Sequence, residues 1–179
     1  MLEAVSEEEF GSREMYAAYG TAMFQAQVLE HRLTYTIGLA RTAAKEFRTR
    51  EELHASFESN YTATLGTLLH HLRPYIDDAS LEAELTAALE TRNRLAHHFF
   101  WEHQDDLETI EGLANMSDEA YQAQLQFQAL IEKLTLVLLR FIDTIGQAPD
   151  EHIPGLTEAV ELALDALGPS DLPAMPNAI

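Results

Sequence analysis

The chain has 179 residues, of which 46% are hydrophobic and 23% charged, a balance typical of a globular domain rather than of a disordered chain. It has no cysteine, which excludes disulfide scaffolds, thiolate nucleophiles and cysteine-ligated metal sites. With 30 acidic and 11 basic residues the net charge is −19, so most of the surface should repel nucleic acids.

The charges are spread unevenly along the chain. Residues 1–31 carry six acids and one base, residues 32–94 nine acids and eight bases, and residues 95–179 fifteen acids and two bases. A polyanion would therefore have to bind the middle third, although acidity that serves only solubility is the alternative. The weaker candidates for contacting such a polyanion are Arg41, Lys45, Arg48, Arg94 and His98.

Eight glycines and six prolines lie between segments of helical periodicity or near the C-terminus, a pattern typical of helices joined by short loops. We therefore expect an all-α fold, a bundle of about five to six helices. Residues 1–167 should form a single domain, and residues 168–179, which contain Pro169, Pro173 and Pro176, an extended or mobile tail.

The first helix is predicted from about Ser12 to about Phe47. Two opposite faces of this helix are apolar, so both need cover, either within a bundle or from a core on one side and a partner chain on the other. One face holds Phe24, Val28, Tyr35 and Leu39, and the other holds Leu29, Leu33 and Ile37.

Capping patterns predict two shorter helices after the first. Thr49 and Glu52 have the spacing of a capping box, which predicts a helix through Phe57. Asn60 is the expected N-cap of a further helix that ends before Pro74.

The next helix is predicted from Leu81, with Ser80 as its N-cap, to about His103. Residues 104–117 are acidic and contain Gly112, so we expect a loop there. The apolar face of the predicted helix reads Leu81, Leu85, Ala88, Leu89, Ala96 and Phe99.

A long helix is predicted from a cap at Ser117 to about Gly146, and a last one over Leu156–Leu167. No apolar run reaches the length of a membrane span, and the acidic N-terminus lacks an apolar leader, so we expect a cytoplasmic protein without membrane contact. The core stripe of the long helix should be Phe127, Leu130, Ile131, Leu134, Val137, Leu138, Phe141, Ile142 and Ile145.

The densest group of chemically active side chains lies between Glu90 and His103, beside the single tryptophan. Arg92 projects from the middle of the apolar face, and a guanidinium there needs either a carboxylate or a bound anion because it cannot lose its proton. His97 stands about 140° away around the helix. Asn93 lies one turn before His97 and can orient its ring.

The sequence Arg-Asn-Arg-Leu-Ala-His, with Arg92, Asn93 and His97 in the R-x4-H pattern, resembles the motif of HEPN domains. The resemblance implies a late helix of an α-helical bundle, in which the motifs of two protomers meet in one cleft. It also implies a metal-independent endoribonuclease of the toxin or phage-defence type, active as a homodimer and without a cofactor. Other HEPN members have lost activity or serve as interaction modules.

The resemblance implies that the reaction is attack of an RNA 2′-hydroxyl on the adjacent phosphate. The expected substrate is therefore RNA and not DNA. His97 would act as general base or acid, since an imidazole exchanges protons near neutral pH. Arg92 would hold the phosphate, and Asn93 would orient His97 or the phosphate. In one toxin branch the antitoxin modifies a tyrosine two residues after the histidine. Phe99 stands at that position here, although a protein antitoxin or another protein partner remains an expected partner.

A structural interpretation of the same residues stays open. Arg92 would then pair with a core-facing carboxylate such as Glu30, and His97 would pack against the helix, satisfied by Asn93. The chain would in that case be a non-catalytic helical dimer that acts as an interaction or regulatory module.

Metal binding is a third possibility. Glu51 and His54 form one Glu-x-x-His unit, but the di-iron bundle design needs two such units with further glutamates. Adjacent histidines diverge by about 100° on a helix, so the pairs His70–His71 and His97–His98 do not ligate one ion together. His103 would be a further imidazole ligand. The site is therefore expected to contain no metal.

Overall fold

The computed structural model describes residues 7–47 and 49–146. Within these ranges the chain forms six α-helices and no strand, which confirms the predicted all-α class. Short 3₁₀ turns cover Arg73–Tyr75 and Asp106–Glu108. The helices are α1 (Glu7–Ala43), α2 (Arg50–Tyr61), α3 (Leu65–Leu72), α4 (Ala79–His97), α5 (Phe99–Glu102) and α6 (Ile110–Gly146).

The contacts divide the chain into two compact units, and both long helices contribute to each. Among the described residues, the first unit comprises residues 7–29 and 80–130, and the second comprises residues 30–47, 49–79 and 131–146. The prediction of one domain over residues 1–167 extends beyond the described residues and stays a prediction. The predicted helix Leu156–Leu167 and the tail at residues 168–179 lie outside the described residues as well. No helix in the described ranges is long and apolar enough to cross a membrane.

The first unit has a core of buried apolar side chains from α1, α4, α5 and α6. Their spacing of three or four residues is that of one helix face, so each of the three longer helices turns an apolar stripe inward. The stripes include Met15, Ala22 and Ala26 of α1, Leu81, Leu85, Ala88 and Leu95 of α4, and Leu113, Met116, Ala120, Ala123 and Phe127 of α6. Phe99 of α5 completes the core, at 1% exposure.

The second unit has its own apolar cluster, formed by Leu39, Phe47, Leu53, Phe57, Leu138 and Ile145. The predicted capping box opens α2: Thr49 Oγ1 accepts from the N–H of Glu52, whose carboxylate accepts from the N–H of Thr49. A tight contact lies beneath α2, because a Cβ at Gly38 would collide with the ring of Phe57.

The first helix differs from its prediction at both ends and on one face. It already includes Glu7, and it ends at Ala43 instead of Phe47. Lys45, with a φ of 58°, reverses the chain, and the N–H groups of Lys45 and Glu46 donate to the carbonyls of Thr42 and Arg41. This is a Schellman motif, which closes the helix without glycine. Of the two predicted apolar faces, Leu29, Leu33 and Ile37 are buried. On the other face Leu39 is buried and Val28 and Tyr35 are half-buried, whereas Phe24 is 59% exposed.

Three predicted N-caps are wrong, those at Asn60, Ser80 and Ser117. At α3 and α6 the hydroxyls of Thr64 and Thr109 occupy the cap instead. Asn60 lies inside α2 and bonds His71 Nδ1 at 3.2 Å, while Thr64 accepts from the N–H of Thr67 and caps α3. Ser117 lies inside α6 and donates to the Leu113 carbonyl at 2.9 Å.

The predicted loop over residues 104–117 is correspondingly shorter, because α6 begins at Ile110. Thr109 is extended, and its Oγ1 accepts from the N–H of Gly112 at 3.0 Å, as an N-cap does. Gly112 is not a turn residue. It is buried against the backbone of Asp106, where a Cβ would collide.

The helix predicted over Leu81–His103 forms as two helices. The first of them, α4, begins one residue before Ser80 and ends at His97. The hydroxyl of Ser80 donates to the carboxylate of Glu84 at 3.2 Å. His98 leaves the helical conformation, with φ of −126° and ψ of −25°, before the single turn of α5.

Candidate functional site

The C-terminal half of α4 carries the three residues of the predicted site. Burial of Leu85, Ala88 and Leu95 fixes which side of α4 faces the core. Arg92 shares that face by its helical position but is only half-buried, and Asn93 and His97 are exposed. Besides Arg94, the end of α4 therefore presents the guanidinium of Arg92, an amide and an imidazole within six residues of chain.

Arg92 and Asn93 contact each other directly. Arg92 Nη1 donates to Asn93 Oδ1 at 3.3 Å, so the amide oxygen is turned towards the guanidinium. No described side chain hydrogen-bonds the imidazole of His97, and Asn93 therefore does not hold the ring as either sequence interpretation expected. The neighbour of that ring is His98, at a centroid distance of 6.4 Å and nearly perpendicular.

The break after His97 is explained by a contact from α1. The hydroxyl of Tyr19 on α1 donates to the Leu95 carbonyl at 3.2 Å, an acceptor that a continuous helix would give to the N–H of Phe99. The Tyr19 ring also stacks on Phe99 at 5.3 Å and contacts Phe100 at 4.8 Å. Tyr19 thus anchors the end of α4 and the start of α5, and the exposed pair His97–His98 lies at this junction.

Beyond the junction, Arg94 joins three elements through its carboxylate partners. Its Nε donates to Glu102 at 2.6 Å, and its Nη1 pairs with Glu119 on α6. These hydrogen bonds raise the pKa of Arg94 further, chiefly through Glu119. The guanidinium of Arg94 therefore ties α4 to α5 and α6.

His103 forms the second half of the same network. Its Nδ1 lies 2.6 Å from Asp106 Oδ2 and its Nε2 lies 3.0 Å from Glu119 Oε2, so both nitrogens donate only when the ring is an imidazolium. The hydrogen bond to Asp106 raises the pKa of His103 above its usual range, and Glu119 adds to the effect. The side chain is 16% exposed. We name the group of Arg94, Glu102, His103, Asp106 and Glu119 the clamp.

Sequence reasoning missed the clamp. Arg94 appeared only as a weak contact for a polyanion and His103 only as a spare imidazole, while Glu102, Asp106 and Glu119 were not singled out. The spacing from Arg94 to Glu119 crosses a helix break, a 3₁₀ turn and the start of α6, and no periodicity relates positions on separate elements.

The remaining weak candidates are dispersed. His98 is exposed beside His97. In the second unit, Arg41 donates to Glu46 and Ser56 and lies 4.8 Å above the ring of Phe47, and Lys45 occupies the exposed turn after α1. Arg48 lies outside the described residues.

In the described part of the chain, no three His, Asp or Glu side chains are arranged to bind a metal ion. Glu51 and His54 line an open depression on α2 together with Ala55 and Glu58. The carboxylates of Glu51 and Glu58 and the imidazole of His54 in this depression all come from one face of α2.

Together these contacts define a site at the end of α4 with a guanidinium paired to an amide, an imidazole that is accessible, and a clamp that compensates the surrounding carboxylates. Comparison with protein-family models, with curated proteins and with solved structures found no match to this chain.

Proposed function

We propose that this chain is a metal-independent endoribonuclease of the HEPN type, whose active cleft is built from the α4 ends of two copies. The observation that carries the proposal is the contrast between two histidines of the same segment. His103 is held by carboxylates on both nitrogens, whereas the His97 imidazole is exposed on the helix that carries Arg92 and Asn93. An accessible imidazole can exchange protons with a substrate, and a clamped one cannot.

The chemistry balances without a further reactant. The 2′-oxygen forms a bond to the adjacent phosphorus as the bond from phosphorus to the 5′-oxygen breaks. One His97 takes the proton of the 2′-hydroxyl, and His97 of the second copy gives a proton to the departing 5′-oxygen. Arg92 donates to the non-bridging oxygens, where charge develops. The products are a 2′,3′-cyclic phosphate and a 5′-hydroxyl.

The geometry of one helix explains why two copies are needed. Arg92 and His97 diverge by about 140° around α4, so one copy does not direct both at the same phosphate. A two-fold axis that passes near the end of α4 would bring Arg92 of one copy opposite His97 of the other. The site would then contain two imidazoles, one for each proton transfer.

The clamp supports this proposal electrostatically. A net charge of −19 opposes RNA binding, but Arg94 and a protonated His103 offset two of the three carboxylate charges of the clamp, next to the motif in sequence. Arg94 pairs with Glu102 and Glu119, and the His103 imidazolium pairs with Asp106 and Glu119. A phosphate that approaches Arg92 therefore meets a weaker negative field than the composition suggests.

The test is cleavage of RNA by the purified protein in the presence of a chelator, with analysis of the product ends. We expect cyclic-phosphate ends from the wild type and a loss of about 100-fold or more in Arg92→Ala and in His97→Ala. Both variants should keep the wild-type melting temperature within a few degrees, because neither side chain is part of the core. The matched control is His70→Ala, which removes an exposed imidazole from α3 and should leave cleavage unchanged. Cleavage that survives His97→Ala, or that stops when metal is removed, would overturn the proposal.

One observation favours the second candidate function, a non-catalytic interaction module. The first unit has an apolar groove of about 510 Å³ that is lined by Phe10, Ile110 and Ala114, with Glu14 and Asp118 at the same site. Phe10 and Ile110 are both more than half exposed. Stable dimers that do not cut any RNA in the assay above would favour this function.

A further inference from the structure

Trp101 is the single tryptophan of the chain and the most exposed large apolar side chain among the described residues, at 73%. The next in order, Phe24 and Leu136, are 59% exposed. Because an indole gains more from burial than most side chains, one held in water at a fixed position suggests a ligand that covers it.

The indole is placed directly beside the candidate site. The backbone N–H of Trp101 donates to the backbone carbonyl of His98 at 2.9 Å. Trp101 therefore lies one turn after the exposed pair His97–His98. Three aromatic rings therefore follow one another on the surface where α4 gives way to α5.

The turn that carries Trp101 is held by packing contacts before it and by a hydrogen bond after it. Phe99 is buried before it, and the ring of Phe100 contacts Tyr19 at 4.8 Å and Tyr16 at 5.9 Å. After it, Gln104 Nε2 donates to the Trp101 carbonyl at 3.2 Å. A ring on a turn that is already ordered loses little conformational freedom when a flat ligand stacks on it.

The charges near Trp101 permit an anionic ligand. The carboxylate next to it in sequence, Glu102, accepts from Arg94 at 2.6 Å. In sequence Trp101 is therefore next to a carboxylate that is already paired, and it lies within four residues of the imidazoles of His97 and His98. Of the partners that cover an exposed aromatic ring, a base attached to a phosphate chain fits these neighbours best.

We infer that Trp101 is a stacking platform for an unpaired nucleobase next to the scissile phosphate, which makes single-stranded RNA the substrate class of this site. The inference rests on the proposed function. Stacking needs a free π-face, so a base inside a duplex is excluded, and it tolerates all four bases because each has such a face. Trp101 would thus select for strandedness and not for sequence.

The experiment uses the full chain and a short single-stranded RNA that carries 2′-O-methyl groups, which binds but lacks the nucleophile. Tryptophan emission comes from Trp101 alone, so stacking should quench it as the oligonucleotide is added, whereas an abasic oligonucleotide of equal charge should not. Trp101→Ala should weaken binding about tenfold, since a stacked base contributes about that much. Trp101→Phe should retain most of the affinity, and the control Phe24→Ala, which removes an exposed ring from α1, should retain all of it.

The outcomes separate this inference from the proposed function. Loss of affinity in Trp101→Ala without loss in Phe24→Ala supports the platform, even if unmodified RNA is not cut. Cutting of RNA with equal affinity in wild type and Trp101→Ala overturns the platform and leaves the nuclease. No quenching by any RNA overturns the platform, and so does a blue shift of the emission with protein concentration alone, because a second copy would then cover the indole.

Discussion

His97 and His103 belong to the same short segment and differ in every contact that matters for chemistry. His103 is held between Asp106 and Glu119, whose hydrogen bonds raise its pKa, and His97 is exposed to any ligand that reaches the end of α4. The motif that drew attention to His97 could be identified from the sequence. The fixed role of His103 could not, because its two partners come from a 3₁₀ turn and from α6, on opposite sides of Gly112.

Gly112 shows how one residue can be noticed correctly and interpreted wrongly. In the sequence it suggests a loop, but in the structure it is buried in α6, where the backbone of Asp106 approaches it too closely for a side chain. The glycine thus permits the close approach that brings Asp106 to His103.

Gly112→Ala should therefore destabilise the protein by about 2 kcal/mol, because the atoms that a Cβ would meet are backbone and have to shift. The matched control is Gly20→Ala. Gly20 lies inside α1 with no atom near a new Cβ, so that change should stabilise the protein by about 0.5 to 1 kcal/mol. Urea unfolding of both variants measures the two values. Equal effects of the same sign would show that Asp106 does not lie against Gly112.

At the scale of the elements, the segment from α4 to α6 is organised by the clamp. Arg94 reaches α5 and α6, and His103 reaches the 3₁₀ turn and α6. The groups that face His103 are the carboxylates of Asp106 and Glu119 and the ring of Phe99, at 5.1 Å. His103 is therefore one of several contacts that hold α5, beside the Arg94–Glu102 pair and the packing of Phe99.

The hydrogen bonds of His103 predict a decrease in stability with rising pH. The hydrogen bond to Asp106 raises the pKa of His103 above its ordinary value of 6.5, so its contribution is complete below that pH and is lost as the pH rises through the raised value. Over that rise the wild type should lose more stability than His103→Gln, which appears as a larger fall in melting temperature. Thermal unfolding at a series of pH values measures the difference. Parallel curves for the two proteins would mean that His103 carries no charge in the folded state.

The elements were predictable to the extent that their patterns are local. The capping box at Thr49 and the core stripe of α6 follow from spacing alone, and both are confirmed, with Phe127, Leu130, Leu134, Leu138 and Ile145 buried. The helix ends were not predictable where several residues compete for one role. Thr64 and Thr109 cap helices that Asn60 and Ser117 were expected to cap, and the choice depends on where the preceding helix or turn ends.

The break at His98 was missed for a related reason. Nothing in the sequence from Arg94 to Glu102 disfavours a helix strongly, since it contains neither glycine nor proline. The break follows from Tyr19, which lies 76 positions away in sequence and donates to the Leu95 carbonyl. Long-range contacts of this kind override local helix propensity.

For the molecule as a whole, the proposed active cleft needs two copies of the chain. A net charge of −19 makes two copies repel each other, so their association would have to depend on apolar and aromatic surface rather than on charge. Phe10 and Ile110 are more than half exposed in the first unit and provide such surface.

The measurement that tests this claim most directly is cleavage by mixed dimers. Wild-type chains are mixed with an equal amount of His97→Ala chains, subunits are allowed to exchange, and the rate of RNA cleavage is compared with that of the undiluted wild type. If each cleft needs His97 from both copies, only dimers of two wild-type chains are active, and the activity per total chain should fall to about one quarter. A fall to one half would show that each chain acts alone and would contradict the composite site.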